Sequence, residues 1–535
     1  MEKRVLLAII LSIAVMYGYT LIFPQPKQPV SPALPQQAES KPAAGAPSQS
    51  PLPVTVPPVA SQPLPAQQVS ARDITIETDV YRAVISTLNG SLKSLSLKQY
   101  RDVAGTAGKE IVLLQEKDPR NFSLANEFPG FNQDANLIYS ASTASLVVQG
   151  TESKSLELLA TTPAGLIVKK VFTFSGKGYD IGLDHSIYNN TASHVEGNVH
   201  LLLRNKSVKP KDDAGRYEVF GPVTKTETDV VFDSLADLAK SPKSYTAALK
   251  WSGFGDKYFL NAVLASNGSI GSLSFRDLSG VLEQRFVSPK VSINPQQSAT
   301  VSYKVFYGPK DIDILKAQQA QLEQAIDLGW FSAIAKPMLH SLKLFYRYLH
   351  NYGLAIIAIT VILKILFFPL THKSYKSMKE MQKLQPKMQE LKEKHKDDRD
   401  AMNRAVMEMY KTHKVNPLGG CLPMLVQIPV FFGLYKALMF SIELRHAPFY
   451  FWLQDLSAKD PYYVTPIIMG ATMFIQQKMT PTNMDPVQAK MMLALPVVFT
   501  FMFLNFPSGL VLYWLVNNIL TIAQQAYINK SLKEA

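Results

Sequence analysis

Five long apolar segments lie in the last third of the 535-residue chain, and they constrain the fold more than any other feature. A bilayer core about 30 Å thick is crossed by roughly 20 helical residues, because lipid offers no partner to an unpaired backbone group. The segments therefore predict membrane-spanning helices over Gly353–Leu370, Leu418–Phe440, Tyr462–Met479, Met491–Phe506 and Gly509–Ile528.

A sixth apolar run, Val5 to Phe23, follows Lys3 and Arg4 at the N-terminus. It is nearly of transmembrane length and lacks a small-x-small cleavage site, so residues 1–23 are expected to form an uncleaved anchor. Residues 24–72 are rich in Pro, Gln and Ala, with few large apolar side chains. This composition predicts a disordered linker.

Residues 73–310 change to short alternating runs separated by turn signals such as Asn89-Gly90. This pattern predicts a large all-β sandwich, which is long enough to bury its own core. No nucleophile motif or metal-ligand spacing surrounds the scattered His185, His194 and His200. The domain is therefore interpreted as a binding or structural module.

Residues 311–351 are expected to be a connector followed by an amphipathic helix. Aromatic residues such as Trp330 and Tyr348 are interleaved there with Lys336, Lys343 and Arg347. The pattern favours a helix lying flat at the bilayer surface, and a packed soluble helix is the alternative.

The net charge of the chain is +13, and a strongly basic stretch lies between the second and third spans. Lysine and arginine accumulate on the cytoplasmic side of membrane proteins, so this stretch predicts six spans with both termini in the cytoplasm. The β domain then lies on the outer face. The basic residues of this stretch are Lys373, Lys376, Lys379, Lys383, Lys387, Lys392, Lys394, Lys396, Arg399, Arg404, Lys411 and Lys414.

Apolar residues recur at helical spacing within the same stretch and predict a cytoplasmic helical hairpin over residues 372–416. A methionine seam on the hairpin either packs on itself or offers a soft surface to varied apolar segments. The methionines proposed for such contacts are Met378, Met381, Met388, Met402 and Met409.

Lys364 interrupts the first of the five segments, with Thr360 one turn before it on the same helical face. An ammonium at such depth costs about 2.5–3.5 kcal/mol on insertion scales. Lys364 is about seven residues from Thr371, roughly 10 Å, which a lysine stem spans only in part. Two interpretations follow: snorkelling to the interface, or a polar, water-accessible cavity within the membrane.

Further polar residues lie at similar or more cytoplasmic depth in the other spans. They are consistent with a groove in the inner half of the bilayer, or with hydrogen bonding between helices. In the last span they recur every three or four residues and predict one polar face. The polar residues of the other spans are Gln427 and Gln477, and those of the last span are Trp514, Asn517, Asn518, Thr521 and Gln525.

Several function classes are disfavoured. No span has an Asp or Glu near its midpoint, which weakens a proton- or sodium-coupled transporter. The single cysteine, Cys421, excludes an intramolecular disulfide and a cysteine-cluster metal site. The chain also has no phosphate-cradling loop. We expect no metal, no cofactor, no nucleic-acid ligand and no enzymatic activity.

Five short motifs are the most specific in the chain: Phe368–Thr371, Val415–Pro423, Gln427–Pro429, Asp460–Tyr463 and Phe506–Trp514. With them the chain resembles the YidC/Oxa/Alb family of membrane protein insertases, in its Gram-negative form with a large periplasmic domain. The resemblance implies a five-helix insertase core over residues 352–535 and a periplasmic β-supersandwich. It also implies insertion and folding of inner-membrane proteins through a hydrophilic groove.

The resemblance places Lys364 where the family commonly has an arginine, which keeps the charge but loses the bidentate fork. Thr360 falls at the family's groove threonine, and Tyr513 and Trp514 fall where aromatic residues contact substrate. The implied partners are nascent inner-membrane proteins, the lipid bilayer and the Sec translocon (SecYEG and SecDF). Only weak ribosome binding is expected, because the chain stops soon after Lys533. A small-anion transporter and an envelope scaffold stay open as alternatives.

Overall fold

The computed structural model describes residues 70–534 except 106, 132–135, 209–219, 247, 267, 396–397, 414, 416–421 and 481–485. The expected N-terminal anchor, nearly all of the linker and Cys421 lie outside the described residues.

Twenty-one strands are described between Asp73 and Pro309. In chain order they are β1 (Asp73–Glu77), β2 (Tyr81–Ser86), β3 (Ser91–Arg101), β4 (Glu110–Gln115), β5 (Ala125–Glu127), β6 (Ser140–Ala141), β7 (Ser145–Val147), β8 (Ser153–Thr161), β9 (Leu166–Ser175), β10 (Asp180–Asn189), β11 (Val195–Gly197), β12 (His200–Lys206), β13 (Gly221–Thr226), β14 (Val230–Phe232), β15 (Ser244–Tyr245), β16 (Leu249–Gly255), β17 (Phe259–Ala265), β18 (Ser272–Asp277), β19 (Val281–Val287), β20 (Val291–Ile293) and β21 (Ser298–Pro309).

The central sheet of this β domain has nine strands in the order β14-β13-β16-β17-β21-β10-β9-β8-β6. Two five-stranded sheets, β4-β3-β2-β1-β7 and β15-β18-β19-β12-β5, and the pair β11-β20 complete the domain. The described pairings are antiparallel apart from β1 with β7. Alternate residues of β9 and β10 are buried, as expected where one face of a sheet packs on a core.

One buried position of β9 is a lysine. Lys170 is fully buried and donates to the carbonyl oxygen of Leu124 and to Oδ1 of Asn126, each at 2.6 Å. Nε2 of His185, on β10, lies 2.8 Å from the same Asn126 oxygen. Burial holds the pKa of Lys170 and that of His185 well below their usual values, and the nearby lysine lowers that of His185 further. The cluster is hydrogen-bonded inside the core, away from solvent.

Ten α-helices are described. They are α1 (Leu235–Lys240), α2 (Ile312–Ala317), α3 (Ser332–Leu349), α4 (Tyr352–Lys383), α5 (Gln385–Lys394), α6 (Arg399–Thr412), α7 (Leu422–Phe440), α8 (Val464–Met479), α9 (Pro486–Phe503) and α10 (Ser508–Glu534). Short 3₁₀ turns lie at Pro119–Asn121, Leu322–Ala325, Gly329–Phe331 and Ile442–Leu444.

Helix α10 lies at the centre of the helical part and packs against α4 and α8, while α9 packs on α8. Helix α3 packs against both α4 and α7. By contrast, α7 touches α4 and α10 at few points, which leaves a gap between these three helices. The outward face of α4 is apolar and exposed, with Ile365 at 68% and Leu366 at 67%, as suits contact with lipid.

Length and hydropathy together qualify α4 as a membrane span among the residues that the structure describes, and two shorter apolar helices are Leu425–Phe440 and Met491–Phe503. The number of six spans therefore stays a prediction. Helix α3 buries Ala335, Leu339 and Leu342, whereas Trp330 before it and Tyr348 at its end are each 76% exposed.

Helix α4 continues beyond the apolar segment to Lys383, so the first limb of the hairpin is not separate from the span. Pro386 then lies in the first turn of α5, where a proline fits, whereas it would disrupt the interior of a helix. In the hairpin, Met388 and Met409 are buried with Leu384 and Val415, and Met381 packs beside them. Much of the seam therefore packs on itself. The half-buried Met378 and Met402 lie outside this cluster.

Candidate functional site

A cleft opens where α7 stands away from α4 and α10. Its free space, together with the open solvent at its mouth, is about 440 Å³. Its walls combine apolar side chains with hydroxyl, amide and ammonium groups: Thr360, Leu363, Lys364, Phe367, Leu370, Thr371, Gln427, Val430, Tyr513 and Asn517.

The ammonium of Lys364 donates to Oγ1 of Thr521 on α10 at 2.7 Å. That hydroxyl donates in turn to the carbonyl oxygen of Asn517 at 2.6 Å. Within the described part of the chain, no carboxylate lies within 4.0 Å of the ammonium. The cleft thus holds a cation whose hydrogen-bond partner is neutral, so its charge is free to interact with an incoming group.

Two amides join the walls on opposite sides. Nε2 of Gln427 on α7 donates to Oδ1 of Asn517 on α10 at 3.2 Å. Thr360, which is 1% exposed, donates its hydroxyl proton to the carbonyl oxygen of Ile356 at 2.7 Å. This bond uses the only proton of the hydroxyl, so toward any further group the Thr360 oxygen can act only as an acceptor.

The two longest helices run side by side in the same direction. Lys364 of α4 contacts Thr521 of α10, and one turn further on the Phe368 ring lies 6.4 Å from the Tyr527 ring. The difference in residue number between the α4 residue and its α10 partner is nearly the same at both contacts. Positions along α4 can therefore be matched directly to positions along α10.

The polar residues of α10 divide between two faces instead of forming the single face expected from sequence. Tyr513, Asn517 and Thr521 face the cleft region, whereas Asn518 donates to Oγ1 of Thr472 on α8 at 3.3 Å. Gln525 donates to the carbonyl oxygen of Met479, also on α8. Asn518 and Gln525 thus join helices, as amides often do in membranes.

Two further candidates also lie outside the cleft lining. Trp514 belongs to an aromatic cluster, with ring centroids 4.8 Å from Phe431 and 5.1 Å from Phe503. Gln477 is half-buried on α8. Conversely, sequence reasoning did not name Val430 or Thr371 as cleft residues, although Thr371 ends one of the five motifs, and both line the cleft. Their residue types carry no signal, and only the packing of α7 against α4 reveals them.

Comparison with known proteins shows to which family the chain belongs. The family model described as 60Kd inner membrane protein matches residues 344–535, and the YidC periplasmic domain model matches residues 73–341. Membrane protein insertase YidC of Geotalea uraniireducens is 57% identical, with 99% of this chain and 100% of that protein covered. The chain belongs to the YidC family of membrane protein insertases.

A second insertase of the YidC family, from Geotalea daltonii, is 59% identical over 99% of this chain and its own full length. A crystal structure titled as an active YidC insertase with its first transmembrane domain resolved matches 85% of this chain and 92% of its own at 18% identity. Its TM-score is 0.37. The sequence relationships carry the assignment.

Membership in the YidC family makes this chain a membrane protein insertase with a β-rich periplasmic domain, and not an enzyme. It decides for the insertase over a small-anion transporter or an envelope scaffold. The substrates of this insertase are membrane proteins, and the insertase itself is located in the membrane.

Proposed function

We propose that the cleft between α4, α7 and α10 conducts the polar segments of a membrane protein under insertion, while the apolar segment passes into lipid. The observation that carries this proposal is the Lys364 ammonium, set in an apolar helix and bonded to the neutral Thr521. A carboxylate or a carbonyl oxygen of the incoming chain is the group that best complements such a cation.

The cleft lowers the cost of moving polar groups through hydrocarbon. An amide or hydroxyl without a partner costs roughly 2–7 kcal/mol on transfer to an apolar medium. Within the cleft, Thr360, Gln427 and Asn517 provide replacement partners for such groups. The mechanism requires no nucleotide, because the apolar segment of the substrate gains free energy on reaching lipid.

The proposed topology has six spans, both termini in the cytoplasm and the cleft in the inner half of the inner membrane. Support comes from the twelve basic residues between the second and third spans, on and around α5 and α6. In this arrangement residues 73–310 are periplasmic, residues 311–351 carry the interfacial helix, and the hairpin meets the incoming chain first.

The proposed partners are nascent inner-membrane proteins, the Sec translocon and, weakly, the translating ribosome. The basic, methionine-bearing hairpin supports contact with such partners, since Met407 is 51% exposed beside the buried seam. The domain boundaries of the proposed insertase core stay at residues 352–535.

Site-specific photocrosslinking during synthesis of a short membrane protein tests the route. A crosslinker at position 430 faces the cleft, and one at position 365 faces away from it on α4. The proposal expects crosslinks from position 430 to the polar segment next to the nascent span, and far fewer from position 365. Equal yields from both positions would count against passage through the cleft.

A further inference from the structure

Gln524 is a buried amide whose side chain forms no hydrogen bond with the part of the chain that the structure describes. It is 9% exposed, and among the described residues neither its Oε1 nor its Nε2 has a hydrogen-bond partner. Its neighbour Gln525 donates to the carbonyl oxygen of Met479. Buried polar groups are nearly always paired, so an amide with both ends unpaired requires an explanation.

Gln524 is not among the residues that line the cleft, but it lies on the face of α10 that carries the lining residues Tyr513 and Asn517. It lies one turn after Thr521, the residue bonded to Lys364, and on the same face of α10. Lys364 is paired with Thr521, so Gln524, three residues after Thr521, lies at the same height along the helices as Phe367, three residues after Lys364. Phe367 lines the cleft. Thr371, one turn further along α4, lines it as well. On the α4 side, therefore, the cleft extends beyond the level of Gln524.

The chemistry of the amide selects a ligand. A glutamine side chain offers a carbonyl acceptor and an N–H donor, the same two groups as a main-chain peptide unit, whereas a lysine ammonium only donates. We propose that Gln524 is a docking group of the cleft that pairs with main-chain peptide groups of a polar segment under insertion. This inference rests on the cleft route proposed above. Recognition of the peptide unit is independent of side-chain sequence, as an insertase for many substrates requires.

The two adjacent glutamines supply a matched test in the full-length chain. Gln524→Met and Gln525→Met are each reconstituted into vesicles of phosphatidylethanolamine and phosphatidylglycerol, and insertion of a single-span reporter is measured with an acidic or a neutral polar tail. Gln524→Met is expected to slow insertion of both reporters about fivefold to tenfold, the effect of losing one or two hydrogen bonds.

Thermal unfolding in detergent separates docking from a structural role. Gln524→Met removes an unpaired buried amide, so its unfolding midpoint should be unchanged or raised, whereas Gln525→Met breaks a helix-to-helix bond and should lower it. A wild-type insertion rate for Gln524→Met, or a fall in midpoint equal to that of Gln525→Met, overturns the proposal.

Lys364→Glu in the same vesicles distinguishes this inference from the cleft route. If Lys364→Glu slows insertion of the acidic-tailed reporter and Gln524→Met does not, the docking role alone is overturned. If neither variant affects insertion, the cleft route is overturned with it.

Discussion

The ammonium of Lys343 lies 2.9 Å from Oε1 of Glu443. It also lies 3.0 Å from Asp311 and 2.8 Å from Asp313. Lys343 belongs to α3, the two aspartates follow the last strand of the β domain, and Glu443 follows α7. One lysine, 16% exposed, therefore connects three parts of the chain.

Lys343→Met is expected to destabilise this junction by about 2–4 kcal/mol, because the carboxylates lose their shared cation in a half-buried site. Chemical unfolding of the full-length protein in detergent measures the loss. Arg347→Gln on the same helix is the control, since Arg347 is exposed and the described residues form no ion pair with it. Equal effects of the two variants would contradict the role of the junction.

The same junction has a defined pH dependence. The neighbouring carboxylates, Glu443 foremost, raise the pKa of Lys343 above its usual value even though burial acts in the opposite direction. Its contribution is therefore complete at neutral pH and is lost only as the pH rises above about 10.4, the ordinary lysine value. The stability difference between the wild type and Lys343→Met should stay constant across neutral pH.

Lys364→Glu should reduce insertion of substrates with acidic translocated tails about tenfold, roughly 1.4 kcal/mol, because the cleft then repels the carboxylates that it attracted. Lys364→Arg keeps the charge and should retain most activity. Proteoliposome insertion assays with acidic and basic tails measure both effects. Unchanged insertion of acidic tails by the glutamate variant would contradict the role of the cation.

Gly433→Ala tests the packing of α7 against α3. A Cβ at this position would lie 2.7 Å from Cγ2 and 2.9 Å from Cβ of Ile334. In an uncrowded helix the change would stabilise by about 1 kcal/mol, but here the clash is expected to cost about 1–3 kcal/mol. Adding Ile334→Ala should reduce the penalty that Gly433→Ala causes in that background. Thermal unfolding of the single and double variants measures whether Gly433→Ala destabilises the protein, and whether it does so less when Ile334→Ala is also present.

His185 should make the β domain sensitive to acid. Its pKa is lowered by burial and by Lys170, so the folded state resists protonation. The contribution of neutral His185 to the free energy of unfolding is complete above about pH 6.5, the ordinary histidine value. It is lost progressively as the pH falls toward the lower pKa that His185 has in the folded protein. His185→Gln keeps a donor for Asn126 without titrating. When the pH is lowered from about 7.5 to about 5, the unfolding midpoint of the His185→Gln variant should fall less than that of the wild type.

Much of the helical part could be predicted because apolar segments and a single buried charge carry strong signals. Depth within the apolar segments indicates Lys364 and Gln427, helical spacing adds Thr360, and the structure places all three in the lining of one cleft. The division of α10 into two faces was missed for a geometric reason. A spacing of three or four residues tolerates drift, so Asn517 and Asn518, about 100° apart on a helix, were assigned to one face.

The pairing of distant strands could not be derived from sequence either. Strand β21 lies between β17 and β10 in the large sheet, which joins residues more than a hundred positions apart. Alternation along β9 indicates which residues face inward, but not which strand covers them. Likewise, nothing in the sequence separates Gln524 from Gln525, and only the partner of the second distinguishes them.

The sparse contacts of α7 with α4 and α10 have a mechanical consequence. Because α7 is attached to the other helices mainly through α3, a wider cleft would require α7 to rotate about its contact with α3. Such a rotation would break the bond from Gln427 to Asn517 and would separate the Phe431 ring from the rings of Tyr513 and Trp514 on α10. We expect the width of the cleft to depend on this contact between α7 and α3, whereas the close packing of α4 on α10 keeps Lys364 bonded to Thr521.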